Sequence, residues 1–120
     1  MSRSWTRARG LQGLVVTSDG INVAQAKVLA ERAIKSRLPA MFVYRQQVQD
    51  GGLMAYGPSI DEIYRQAAVY VDKIFKGAKP SEMPVEQLNK FYLHINLKTA
   101  RSLGLVIPQS LLLRADKIIE

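Results

Sequence analysis

Cysteine is absent from this 120-residue chain, which excludes a disulfide framework, a thiolate metal site and a cysteine nucleophile. Histidine occurs once, at His94, so neither a Cys/His pair nor a multi-histidine metal centre can be built within one chain. No apolar run approaches the roughly 20 residues that span a bilayer. The opening MSRSWTRARG carries positive charge with no apolar segment behind it, so it does not read as a secretory signal. As written, the chain is expected to stay in the cytoplasm. Neither a GxGxxG nor a GxxxxGK[ST] phosphate loop occurs. These absences together predict a non-enzyme with no cofactor, no metal and no catalytic residue.

What is present is an ordinary globular composition, 48% hydrophobic and 22% charged, and enough chain for one domain over residues 1–120. Seventeen Lys and Arg against ten Asp and Glu give a net charge of +7, which favours acidic partners in general. Arg3, Arg7 and Arg9 cluster at the start, but the other basic residues are spread along the chain. That distribution fits a solvated basic surface better than a nucleic-acid site.

LQGLVVT (Leu11–Thr17) ends in an apolar run of the kind a strand buried on both faces requires. Ala26, Leu29, Ala30, Ala33 and Ile34 then recur at helical spacing, with Asn22 and Gln25 as an N-cap pair and Pro39 stopping the helix after Leu38. AMFVY (Ala40–Tyr44) reads as a second strand. Strand, helix and strand within about 35 residues form a βαβ unit and predict a parallel sheet. RQQVQDGG is a polar connection with room for one helical turn, leading to LMAY (Leu53–Tyr56) as a third strand.

The stretch GGLMAYGPS (Gly51–Ser59) is ambiguous by itself: a hairpin, a phosphate loop, or a strand opening onto a helix. Its glycine spacing fails the phosphate-loop pattern, and the following residues decide the rest. Ile60, Ile63, Tyr64, Ala67, Val71, Ile74 and Phe75 make a sustained amphipathic stripe, with Ser59 and Glu62 as a capping box at one end and Lys73, Lys76 and Gly77 at the other. AKPSEMP is an extended linker. KFYLHIN alternates, with Phe91, Leu93 and Ile95 on one face and Tyr92, His94 and Asn96 on the other, as an edge strand covered on one side would. In that position His94 reads as a surface histidine. LKTARSLG predicts a short helix closed by Gly104, and IPQSLLLRADKIIE a proline-initiated turn with an apolar tail.

Open α/β sheets bind ligands at the carboxyl ends of their parallel strands. Those ends carry Ser18 and Asp19, Tyr44 and Arg45, and Tyr56 and Gly57, with Ser59 at the start of the helix beyond. Asp19 could accept from an ammonium group, Ser18 could bond a polar ligand, and Arg45 could pair with a carboxylate. Tyr44 and Tyr56 offer apolar faces with polar tips, and the N–H groups after Ser59 favour an anion. Each residue also has a plain structural use, in a turn, a cap or the core. The set suits binding of a small zwitterion or polar metabolite better than it suits chemistry.

From RLPAMFVYRQQVQDGGLMAYGPS, through YVDKIFKGAKPSEMPVEQ, to INLKTARSLGLVIPQSLLLRAD, the chain resembles the C-terminal part of an ABC-transporter substrate-binding protein with the periplasmic-binding-protein type I fold. The resemblance runs from about Gly10 to Glu120. It implies a single flavodoxin- or Rossmann-like α/β lobe, a three-layer sandwich around a mainly parallel sheet, and a small solute such as an amino acid bound between two such lobes. It also implies an ABC permease as partner once the second lobe is supplied, and a periplasmic setting. The segments TSD, VYR and AYGPS would line the cleft. Lacking the other lobe's cover, such a chain is expected either to bind solute weakly or to form a homodimer that hides the bared surface.

Overall fold

The structure, a computed structural model, describes residues 10–120, so the Arg3, Arg7 and Arg9 cluster lies outside the described residues. Strands β1 (Leu14–Val15), β2 (Ala40–Phe42), β3 (Met54–Gly57), β4 (Tyr92–Asn96) and β5 (Lys117–Ile119) form one sheet in that order. The first three run parallel, β4 is antiparallel to β3, and β5 is parallel to β4. The helices are α1 (Gly20–Ala24), α2 (Ala26–Lys35), α3 (Arg45–Gln49), α4 (Ile60–Phe75), α5 (Leu97–Ser102) and α6 (Gln109–Arg114). The chain is therefore an α/β lobe with a mostly parallel five-stranded sheet.

The expected stripe on α2 is real: Ala26, Leu29, Ala30 and Ala33 are buried and Ile34 partly so. Leu29, Ala30 and Ala33 pack with Val48 of α3 over Val16, Ala40, Phe42 and Ala55 to form the core. Both ends of this helical segment differ from expectation. Asp19, not Asn22, is the N-cap, and it caps a separate short helix that breaks at Gln25 before α2 begins. At the other end Arg37 takes a left-handed conformation (φ 54°), with Leu38 N–H donating to Ala33 O and Arg37 N–H to Ile34 O. That Schellman closure ends the helix at Lys35, before Pro39 can act, and buries Leu38 beside it.

Two strands differ as well. Val15 is 79% exposed, so β1 is a short edge strand rather than one buried on both faces. β4 is interior, flanked by β3 and β5, with Ile95 and Asn96 both buried. It was expected at an edge because the apolar tail after Asp116 gives no sign, locally, that Lys117–Ile119 will pair beside it. The sheet's cover is correspondingly uneven. One face carries the core, while on the other Val15 and Tyr56 are open and Ile95 is fully buried, so among the described residues the second covering layer is incomplete over β1–β3.

Helix α4 has its predicted length and ends in Gly77 at φ 104°, with Ala78 N–H donating to Lys73 O in a second Schellman closure. Half of its predicted capping box forms. Ser59 Oγ accepts from Glu62 N–H at 3.4 Å, whereas the Glu62 carboxylate turns instead to Tyr92 Oη at 2.5 Å. No residue of α4 is buried. The chain returns along one side of it: Gln66 Nε2 donates to the Glu86 carboxylate and Tyr70 Oη to Pro84 O at 3.1 Å. Glu62, Gln66 and Tyr70 are spaced by four, so these contacts use a single face. The helix and its return segment make an arm standing off the sheet. A radius of gyration of 17.7 Å, against about 14 Å for a compact 120-residue domain, agrees with that shape.

Asn96 joins β4 to the helical layer. Its Oδ1 accepts from Thr99 N–H at 3.1 Å, capping α5, and its Nδ2 donates to Val48 O at 3.1 Å from a buried position. Asn96→Ala removes the cap and one of two donors to the Val48 carbonyl, which keeps Gly51 N–H at 3.1 Å. The expected loss is about 1–2 kcal/mol of stability, read as a lower urea midpoint at unchanged slope.

Candidate functional site

The sharpest local constraint at the carboxyl edge is Gly57. A Cβ placed there would lie 2.5 Å from Val43 O and 2.7 Å from Val43 Cγ1, so no side chain fits between the ends of β2 and β3. This close approach sets the start of α3 beside the start of α4. Tyr44 is the N-cap of α3, and the buried Gln47 side chain reaches back to accept from Val43 N–H at 3.1 Å and Tyr44 N–H at 2.9 Å, holding Arg45 at the first helical position.

A cavity of about 180 Å³ opens where these elements meet, lined by Val43 and Arg45 from one side, Gly57 to Glu62 from another, and Tyr92 and His94 from β4. Arg45 and Asp61 form an ion pair at 3.6 Å with both side chains well exposed, a geometry that leaves Arg45 free to exchange Asp61 for another anion. The first-turn N–H groups of Ile60 and Asp61 have no intrahelical acceptor, and the dipole of a 16-residue helix favours negative charge there. Asp61 and Glu62 supply carboxylates to the same lining. Among the described residues no three His, Asp or Glu side chains converge as a metal ion requires.

Of the residues expected at the site, Arg45, Gly57 and Ser59 line this cavity, and Ser18, Asp19, Tyr44 and Tyr56 do not. Asp19 is engaged locally, accepting from Asn22 N–H and Asn22 Nδ2, each at 2.8 Å, and from Thr17 Oγ1 at 3.4 Å. Ser18 is exposed beside it, and Tyr44 is half-buried. Tyr56 points to the sheet's other side, 56% exposed, with its ring 5.7 Å from that of Phe91.

Tyr92 and His94, expected on the polar face of an edge strand with His94 at the surface, line the cavity as well. Alternation along the strand puts them on one face, but only the β3–β4 register, Gly57 opposite Tyr92 and Ala55 opposite His94, brings that face to the cavity. Their environments are tuned. Donation to Glu62 raises Tyr92 above the ordinary 10.0, with desolvation adding to it. Burial lowers His94 below the ordinary 6.5, Arg45 lowers it further and Lys117 does so slightly, while Asp116 opposes them.

The chain matches the family described as ABC transporter substrate binding protein over residues 6–119, and it belongs to that family. An uncharacterized protein of Rickettsia prowazekii (strain Madrid E) is 26% identical over 91 residues, 76% of this chain and 30% of that protein. Among solved structures, a conserved domain protein from Vibrio cholerae O1 biovar El Tor superposes with a TM-score of 0.90 at 24% identity, covering 98% of this chain and 40% of that one. An ABC domain in complex with L-Trp from Streptococcus pneumoniae gives 0.88 at 24% identity, covering 98% and 41%. The ligand-free, open form of a substrate-binding protein with adhesive properties from Clostridium difficile gives 0.66 at 18%, covering 98% and 39%. This chain thus spans less than half the length of the proteins it resembles, and at these identities the structural likeness establishes fold.

A histidine whose folded value lies below its unfolded one costs stability once the unfolded chain protonates. Stability is therefore full above about pH 6.5 and falls as the pH drops toward the folded value. The melting temperature of the wild-type chain is expected to fall more between pH 7.5 and 5.5 than that of His94→Gln, measured by differential scanning calorimetry.

Proposed function

We propose that this chain is a solute-binding lobe of an ABC-type transporter and takes a small zwitterion of the amino-acid class at the cavity beside α4. The observation that carries this reading is the mixed charge around one small space. Arg45 and the α4 N-terminus suit a carboxylate, Asp61 and Glu62 suit an ammonium group, and Tyr92 and His94 offer flat faces and polar atoms between them. Family membership supports a binding role, and the neighbour holding L-Trp supports an amino acid as the class to test first.

The cavity's size bears on affinity. At about 180 Å³ it lies below the roughly 300–1,000 Å³ of a complete small-molecule pocket, so it serves as one wall of a site. A second lobe closing over it would bury the ligand's far side and present the pair to a permease. The lobe alone is expected to bind in the millimolar range, about 4 kcal/mol.

Isothermal titration and thermal-shift measurements with a panel of amino acids and small organic acids test the reading. A solute at about ten times its Kd stabilises the fold by roughly 1.4 kcal/mol. Arg45→Ala is expected to weaken binding of carboxylate-bearing solutes about tenfold or more. No stabilisation by any member of the panel, or equal binding by wild type and Arg45→Ala, refutes this assignment.

A further inference from the structure

Two carboxylates line the cavity, and they are held in different ways. Asp61 sits against Arg45 at 3.6 Å, so its charge already faces a cation. Glu62 forms no ion pair among the described residues; its Oε1 accepts from Tyr92 Oη at 2.5 Å, 30 residues away in the chain. A phenol engages one carboxylate oxygen without neutralising the charge. Glu62 therefore keeps its charge at the cavity wall, in the first turn of α4, where the helix dipole supports it.

The contact draws Glu62 away from a local use. It is the third residue of α4, three after the Ser59 cap, where a glutamate ordinarily turns back to the N–H of the capping residue. Its own N–H donates to Ser59 Oγ at 3.4 Å, so the backbone stays at the cap while the side chain reaches the sheet. Tyr92 is placed in turn by β4, opposite Gly57, which sets no side chain against the ring. Donation to Glu62 is also the largest cause that raises Tyr92 above the ordinary 10.0, so the phenol keeps the proton it donates.

We infer that Tyr92 is a positioning residue, whose hydroxyl holds the Glu62 carboxylate at the cavity wall and thereby makes the site select solutes that carry an ammonium group over the same acids without one. This role requires the cavity to be the zwitterion site. A free glutamate has several torsions to immobilise when it takes a cation, and that ordering comes off the affinity. Here the phenol has set them beforehand. Oε2 is left to the ligand: no hydrogen bond reaches it among the described residues, and an ammonium group has three N–H donors to place. At Asp61 an incoming ammonium competes with the Arg45 guanidinium; at Glu62 it meets no such rival among the described residues.

Titration of the isotope-labelled 120-residue chain, followed by its amide chemical shifts, tests this with three solute pairs: glycine and acetate, L-alanine and propanoate, L-phenylalanine and hydrocinnamate. Within each pair the two differ by the ammonium group alone. For the pair that binds most tightly, the wild type is expected to favour the amino acid about fivefold or more in Kd. Tyr92→Phe, which removes only the hydroxyl, is expected to cut that ratio roughly threefold or more. Glu62→Asp keeps a carboxylate at the same helical position but falls short of the hydroxyl, so it is expected to lose the preference likewise, and it decides the matter should Tyr92→Phe fail to fold. In a Glu62→Gln background Tyr92→Phe is expected to change the ratio less than about twofold, because the hydroxyl acts through the carboxylate. A wild-type ratio near one overturns the inference. A ratio that survives Tyr92→Phe or Glu62→Asp overturns it too, leaving the hydroxyl a tie between β4 and α4 that affects stability alone. So does a ratio that falls by the same factor in the Glu62→Gln background, which puts Tyr92 itself against the solute. Binding by no member of any pair is a different failure: it removes the zwitterion reading, and this role with it.

Discussion

The antiparallel pairing of β4 with β3 is the contact on which the rest of this lobe depends. It returns the chain to the sheet after a 35-residue excursion, from the end of β3 at Gly57 to Tyr92, the first residue of β4. By doing so it fixes the length of the arm, carries Tyr92 and His94 to the cavity, and provides the interior strand beside which β5 completes the sheet. The register is held from both ends. Glu62 ties Tyr92 to the first turn of α4, and Asn96 ties the far end to Val48 and to the cap of α5. Because side chains alternate across a strand, a slip of one residue would turn His94 away from Arg45 and bring Leu93 to the cavity in its place.

The cavity follows from two geometrical facts rather than from a motif. Glycine at position 57 lets β2 and β3 end against one another, and the register just described supplies the third wall. Together they gather an arginine, a histidine, two carboxylates and a helix N-terminus in a space too small to enclose a metabolite unaided. The strong backbone likeness to chains about two and a half times as long shows that this lobe keeps the shape it has within larger relatives.

The described residues also leave apolar surface exposed. Among the described residues one face of the sheet is open over β1–β3, and α4 buries none of its residues. Helix stability commonly derives from packing an amphipathic face. Here α4 stands instead on the Ser59 cap, acidic residues in its first turn, the Asp72–Lys76 pair and a Schellman end at Gly77. These local devices support the helix, whose apolar face is exposed among the described residues.

The helices and parallel strands were legible because their causes are local. The α4 stripe with its Ser59 cap, the alternation from Tyr92 to Asn96, the burial pattern of α2 and the helix closed by Gly104 all rest on periodicity and end chemistry within a few residues. Of the strand-end residues singled out by the same local logic, Arg45, Gly57 and Ser59 share the lining of one cavity. It failed where two local signals competed, as when Asp19 took the cap from Asn22, Arg37 ended α2 ahead of Pro39, and Glu62 left the capping box for Tyr92. It was silent on partnership across the chain. Whether a strand lies at an edge, whether a stripe is covered, and whether His94 faces solvent or a cavity depend on which segment arrives from dozens of residues away, and only the tertiary structure decided them.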